Sequence, residues 1–531
     1  MNEKVKLHGD ESGHEQTDVW SNRDIIPLPP HRRTWDVMEY FGFWTISSFS
    51  VVTWQIPGAF LATGLSVGQT MAVIIVSRFV IMIWSFAIAW AGLTFHIGYT
   101  VQNRYSWGMR GAYLPLLQRV LLNFIWSAIG CWNGGRLATV CITAIWPSFH
   151  TLPNGLPARM HTTTSEFVGF IVFWVLTLPL LWIPPEKFRR LFQFISIYTG
   201  VALFSVMVWS LAKAKGVGPI FHTGQNTSQS PWSISWLIVA SINSSIGSQA
   251  AGMTNGSDFS RYAKNKSGYI IGTFLCLFLT GALVSLIGLT TTAACQTIFG
   301  TVFWNPPDLF MAIMEGGKGT SGSRAAVFFL SLGFGLSSMF ENVVGNGVAG
   351  GIDLAGIFPL YINIRRGAII TITFAWICQP WQLVNRASTF LSVISSFSIF
   401  LAPIMGVMVA DFYFVRKMRL KLSELYKSHG DFWYSGGVNW RPFPAWIVGW
   451  APTIGGLILT SNSKSSGPRV LYELYFVAFF YGFFSSLLVF YLINLVFPVS
   501  NIGDLDEVDV YGTFTREEAK RFLRPRLPKG V

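Results

Sequence analysis

The stretch "INSSIGSQAAGMTNGSD", residues 242–258, lies where a membrane-crossing segment is due, yet it is built from Gly, Ser, Asn and Ala. It is a poor uniform lipid-facing helix. Broken backbone at membrane depth is tolerated only where it lines a cavity or is buried in protein. A second interruption, "TWQIPGAF" at residues 53–60, places Pro57-Gly58 inside the first apolar segment. The two segments are five spans apart. Interrupted spans in corresponding positions of two halves point to a transporter's central site. Tight helix–helix contacts through small residues explain the same composition without a site.

The surrounding sequence places these segments in a membrane. Of 531 residues, 51% are hydrophobic and 12% charged, with mean hydropathy +0.46. Soluble domains carry about 25% charged residues. Between the charge clusters run apolar stretches of about twenty residues, enough to cross a hydrocarbon core of about 30 Å. About twelve spans are expected, at residues 37–63, 70–95, 114–146, 167–183, 191–212, 234–253, 268–293, 325–350, 368–382, 389–415, 445–460 and 471–496. Residues 301–314 read as a half-inserted segment. A 1–35 tail precedes a ten-helix transport core at 36–415. A basic loop at 416–444, two further helices at 445–497 and a 498–531 tail complete the expected organisation.

The net charge of +13 does not indicate nucleic-acid binding, because the basic residues occupy short loops where they orient a membrane protein. Arg104 and Arg110, then Lys187, Arg189 and Arg190, then Arg261, Lys264 and Lys266, then Arg365 and Arg366, then 416–427 fall in one set of loops. That set is expected in the cytoplasm with both termini, and the sequon at Asn226 then falls outside. The five cysteines are scattered, without disulfide or metal spacing. No cofactor or metal is indicated. The polar first 34 residues lack the apolar core of a cleaved signal peptide.

Five longer motifs carry a family resemblance: "NRDIIPLPPHRRTW" (22–35), "NRYSWGMRGAYLP" (103–115), "SDFSRYAK" (257–264), "GIDLAGIFPLYINIRRG" (351–367) and "GVMVADFYFVRK" (406–417). In this order the chain resembles nucleobase–cation symporter family one, especially its fungal uracil, allantoin and uridine permeases. The resemblance implies an all-α polytopic fold with a five-plus-five, LeuT-like inverted repeat and two C-terminal helices. It also implies a substrate site between spans one, three, six, eight and ten.

Residue by residue, Asn346 matches the family's asparagine of span eight. An amide side chain offers the donor and acceptor that complement a nucleobase or hydantoin edge. Trp126, opening "WSAIGCWNGG", matches the tryptophan that stacks on a planar substrate, with Trp132 as the alternative register. Four residues on, where the family commonly has a glutamine, this chain has Gly130, on the same helix face. A missing amide puts simple uracil selectivity in doubt and admits a nucleoside, allantoin or a thiamine-like heterocycle. Gln249, in the broken sixth span, can supply an amide from another direction. Phe390 and Ile394, in "STFLSVISSF", align with positions that line or gate the site from outside. Core packing and helix–helix hydrogen bonding are the structural alternatives for all of these.

Within "SMFENVVGN", residues 338–346, Phe340 and Glu341 fall where sodium-coupled relatives place two hydroxyl ligands. Ser337 takes a backbone-ligand position, and the span-one partners are the carbonyls around Ser47 and Ser50. Phenylalanine cannot bind sodium through its side chain, whereas an intramembrane carboxylate can carry a proton. Glu341 is therefore the expected site of a coupling H+, with a static ion pair to Arg136 as the alternative. The expected activity is proton-coupled uptake of a heterocycle (uracil, allantoin, uric acid or uridine) across the plasma membrane. A thiamine- or nicotinamide-riboside-type vitamin transporter and a non-transporting sensor are the alternatives. Expected partners are that small molecule and membrane lipid; self-association into a homo-oligomer stays open. No hydrolase motif is present, so an enzyme is not expected.

Overall fold

A computed structural model describes residues 18–183, 189–224, 232–461, 467–499 and 504–524. Asn226 and Lys187 lie outside the described residues, as do the side chains of Arg189 and Arg190. Within them every regular element is a helix, apart from two isolated bridges. Among the described residues nine helices are long and apolar enough to cross a membrane by themselves; the first, sixth and ninth spans fall short because each is broken.

The first span consists of Val37–Ser48 and Val51–Ala62, so the break lies at Phe49 and Ser50, not at Pro57-Gly58. Ser50 sits in extended backbone and caps the second helix by accepting the Thr53 amide at 3.3 Å. Pro57 stays inside that helix. Gly58 instead serves close approach: a Cβ there would lie 3.0 Å from the carbonyl of Trp304. The sixth span is Ile234–Ser248, Ala250–Thr254 and Gly256–Ser260, interrupted at Gln249 and Asn255. Its small residues have both of the roles considered. Gly247 backs onto the carbonyl of Ile394 in span ten, while Gln249 marks the unwound point.

The eighth span, Ser321–Ile357, contains a π turn over Asn342–Val348. Such turns insert one residue into the helix and often lie at functional sites. The ninth span is shorter than expected: Ile364–Phe374, then a turn and Pro380–Leu383. The expected half-inserted segment is a helix at Pro306–Gly316. Burial separates core from periphery. In spans three, eight and ten, 67%, 61% and 83% of the apolar window is buried, against 22% for Pro442–Ser461. Lipid supplies no hydrophobic drive between helices, so close packing holds them. Spans three and four meet through Gly135, whose Cβ would lie 2.5 Å from the Phe170 backbone.

Both described ends lie on one face, here the terminal face. Arg33 grips Glu518 at 3.0 and 3.2 Å and donates to the Thr513 carbonyl. Arg104 reaches the carbonyls of Trp20 and Leu425. Burial alone would raise the Glu518 carboxyl. His96, the Thr515 amide and Arg33 outweigh it and hold that group well below the usual carboxylate range.

Deeper on the same side, Arg119 of span three is sandwiched between Asp258 (2.8 Å) and Asp353, all three fully buried. Its guanidinium lies 3.7 Å over the Tyr99 ring. Asn123 donates to Asp353 at 3.0 Å, and the Tyr99 amide to Asp258 at 2.8 Å. Spans three, six and eight are thus tied by one ion cluster. Arg136, near the opposite face, pairs with Glu166 (3.1 Å) and Asp308. The static pair with Glu341 is therefore not formed; the alternative overlooked two carboxylates nearer to the guanidinium.

Candidate functional site

Where the two broken spans face span eight, a cavity of about 900 Å³, mouth included, opens in the core. Trp126, Gly130, Gln249, Asn346, Glu341 and Ser47 line it together. Asn342, Ser248 and Asn255 add polar groups to the same wall. Toward the terminal face the lining continues through Phe43, Trp44 and Phe259. Trp132 packs instead on Phe170 and Trp381, outside the lining.

The side-chain amides of span eight are ordered by one another. Asn346 donates to Asn342 Oδ1 at 2.9 Å. Asn342 in turn donates to the Ser127 carbonyl (3.3 Å) and to Cys131 Sγ (3.1 Å) of span three. With its own oxygen so engaged, Asn342 turns Asn346 so that the Asn346 Oδ1 is left as an acceptor. Sequence reading singles out Asn346 and not Asn342, although an asparagine four residues before another, on one helix face, is the signal that marks it. Gly130 does not leave an empty space. A Cβ at Gly130 would lie 2.8 Å from both Cγ and Oδ1 of Asn342, so the Asn342 amide occupies that ground. Gln249 has no hydrogen-bond partner for its amide among the described residues and stands at the cavity wall.

Ser337, Ser47 and Ser50 converge at the break of span one. Ser337 Oγ donates to the Phe49 carbonyl at 2.9 Å. Thr53 Oγ1 donates to the Ser47 carbonyl at 3.2 Å and lies 3.2 Å from Ser50 Oγ. The Glu341 carboxyl stands near the hydroxyls of Ser50 and Ser47. Carbonyls at this break thus already accept hydroxyl hydrogens, and a carboxylate stands near its serines.

Phe390 and Ile394 are fully buried and do not line the cavity. Phe390 stacks on Trp304 with centroids 5.7 Å apart, on the side of the opposite face. There Gln55 also joins Asn133 (3.0 Å) and Asn305 (2.9 Å). The Arg136 cluster lies beyond. These layers separate the cavity from the opposite face, and sequence reading gave no sign of the Gln55 bridge because its partners come from three distant segments.

The sequence profile of a family described as permeases for cytosine/purines, uracil, thiamine and allantoin matches residues 27–482. The chain is 34% identical to the transporter aclS of Aspergillus oryzae, over 98% of this chain and 93% of that one. It is 30% identical to the thiamine transporter THI72 of Saccharomyces cerevisiae, over 94% and 83%. Among solved structures, Mhp1 in a closed conformation with bromovinylhydantoin bound aligns with TM-score 0.72 at 20% identity, covering 94% of this chain and 98% of that one. That likeness carries the fold, and the profile and relatives carry the lineage: with its two broken helices facing span eight, this multi-pass membrane protein is a transporter, not an enzyme, and belongs to the nucleobase–cation symport-1 family.

Proposed function

We propose that the protein is a proton-coupled symporter that takes up a nucleobase-like heterocycle across the plasma membrane by alternating access, with both termini cytoplasmic. The cavity, walled off from the opposite face, then corresponds to an inward-facing arrangement. The observation that carries the reading is the Glu341 carboxyl beside Ser47 and Ser50, where carbonyls are taken by Ser337 and Thr53 hydroxyls. The two hydroxyls compete with a sodium ion for those oxygens, whereas a proton needs only the carboxylate. Trp126 offers a face for a planar ring, and Asn346 an acceptor for a ring N–H. Phe390 and Trp304 form the outer closure in this scheme.

A second reading rests on the same carboxylate. Thiamine carries a fixed positive charge, as does nicotinamide riboside, and Glu341 lines the cavity that would hold it. A relative 30% identical is a thiamine transporter. In this reading Glu341 is the counter-ion of a cationic vitamin. Uptake of labelled uracil, allantoin, uric acid, uridine, cytosine, thiamine and nicotinamide riboside in a transport-null cell separates the two. Uptake of a neutral base or ureide supports the first reading; uptake of the cations alone supports the second. No uptake of any, with the protein at the surface, overturns both in favour of a ligand sensor.

A further inference from the structure

A second cavity opens on the terminal face, about 1340 Å³ with its mouth, between the ends of spans two, seven and ten and the C-terminal helix Arg516–Phe522. Four cations from three elements line it: Lys266, Lys417 and Arg419 of one turn, and Arg521. Among the described residues no carboxylate lines it. Lys417, Arg419 and Arg521 make no ion pair or side-chain hydrogen bond among the described residues, and Lys266 feels Arg521, which repels it, more than Glu518, which attracts it. Three acids of the C-terminal segment have other partners. Glu518 holds Arg33, Asp504 holds Lys421 and Arg524, and Asp506 accepts from Ser423.

A run of basic loop residues ordinarily faces water and only orients the protein. Here the chain is bent to make the cations converge. Lys417 and Met418 are both left-handed, φ 53° and 59°, a conformation costly for side-chain-bearing residues. The turn is fixed by the Met418 amide on the Phe412 carbonyl at 2.8 Å. Strain held in place by surrounding structure is a pointer to a site. Trp90 and Tyr413 add aromatic rings to the lining, and Lys266 sits 4.7 Å over the Trp90 ring. Aromatic residues at this level mark the membrane–water interface.

We propose that this cavity is a binding site for a phosphate-bearing anion, of the kind a phosphoinositide headgroup or a free phosphate presents. Cations clustered between helices on the cytoplasmic side are suited to such headgroups; the side itself rests on the topology proposed above. Bound phosphate would offset the mutual repulsion and tie the C-terminal helix to spans seven and ten.

The test uses the full chain purified into phosphatidylcholine nanodiscs, with or without a few per cent phosphatidylinositol 4-phosphate. Parallel samples receive soluble inositol 1,4-bisphosphate or inorganic phosphate. Thermal unfolding and lipid retention in native mass spectrometry are read for three proteins: the wild type, Lys417→Gln/Arg419→Gln/Arg521→Gln, and the control Lys520→Gln. The three replaced side chains are exposed and unpaired, so the variant should unfold at the wild-type temperature in phosphatidylcholine alone. The phosphoinositide is expected to stabilise the wild type and control, with binding on the order of a hundredfold weaker in the triple variant. Soluble inositol phosphate acting equally well, and lost in the same variant, keeps the site and assigns it to a free anion. Equal binding by wild type and triple variant, or none of the probes binding the wild type, overturns the proposal.

Discussion

Asn346 donates its side-chain amide to Asn342 across the π turn of span eight, at 2.9 Å, and Asn342 is itself anchored on span three. The acceptor presented to the cavity is therefore set by a residue that need not touch substrate. Asn346→Ala removes one or two buried hydrogen bonds, about 1–3 kcal/mol. That is roughly a ten- to hundredfold rise in the KM or inhibition constant of the transported substrate. Asn342→Ala frees the Asn346 amide to rotate and should weaken binding in the same direction. Unchanged constants in both variants, at normal surface abundance, would return the pair to helix packing.

Gly130 tests the same wall from span three. Gly130→Gln does not simply add an amide, because even a Cβ displaces Asn342. Gly130→Ala alone should therefore reduce substrate affinity, and Gly130→Ala/Asn342→Gly should recover folding but not recognition. Affinity measured by competition in intact cells decides this. An unaltered profile in Gly130→Ala would mean that Asn342 moves away at no cost.

Arg119 tests the architecture. Arg119→Met strands Asp258 and Asp353 in the interior, and breaking a buried ion cluster typically costs about 3–5 kcal/mol. The variant should be retained inside the cell and melt early after purification. Neutralising all three (Arg119→Met, Asp258→Asn, Asp353→Asn) should recover much of the surface expression. A normally expressed, thermally unaltered Arg119→Met would show that the cluster holds nothing together.

These two clusters show where the sequence was legible. The broken sixth span could be placed from composition, although the same Gly and Ser also serve helix contact, as Gly247 does against Ile394. The first-span break could not. Pro57-Gly58 looked like the interruption, yet a proline can stay within a membrane helix when neighbouring backbone compensates. The break is instead set by the Ser50 cap, a signal any serine in a loop would share. Glu341 stood out as a carboxylate in apolar surroundings, but its distance from Arg136 did not, since pairing depends on Glu166 and Asp308 from other segments. The Asn342–Gly130 contact has no sequence periodicity at all; it arises where a π turn shifts one helix against another.

Topology is open to direct labelling. In a background with Cys141 and Cys378 replaced by serine, Arg419→Cys should not react with an impermeant maleimide added to intact cells. It should react after permeabilisation. Prompt labelling from outside would invert the arrangement and place both termini outside.

The coupling role of Glu341 is the central claim, and its most direct test is accumulation in proteoliposomes under an imposed pH gradient. The substrate is the one identified by the uptake panel. For the wild type, an acidic outside should drive accumulation, a protonophore should collapse it, and replacing sodium should change nothing. Glu341→Gln should fold, since Arg136 is paired elsewhere. It should bind substrate and exchange internal for external label, but lose uphill accumulation because no proton is released. A well-folded Glu341→Gln that still accumulates substrate with wild-type pH dependence would contradict the account.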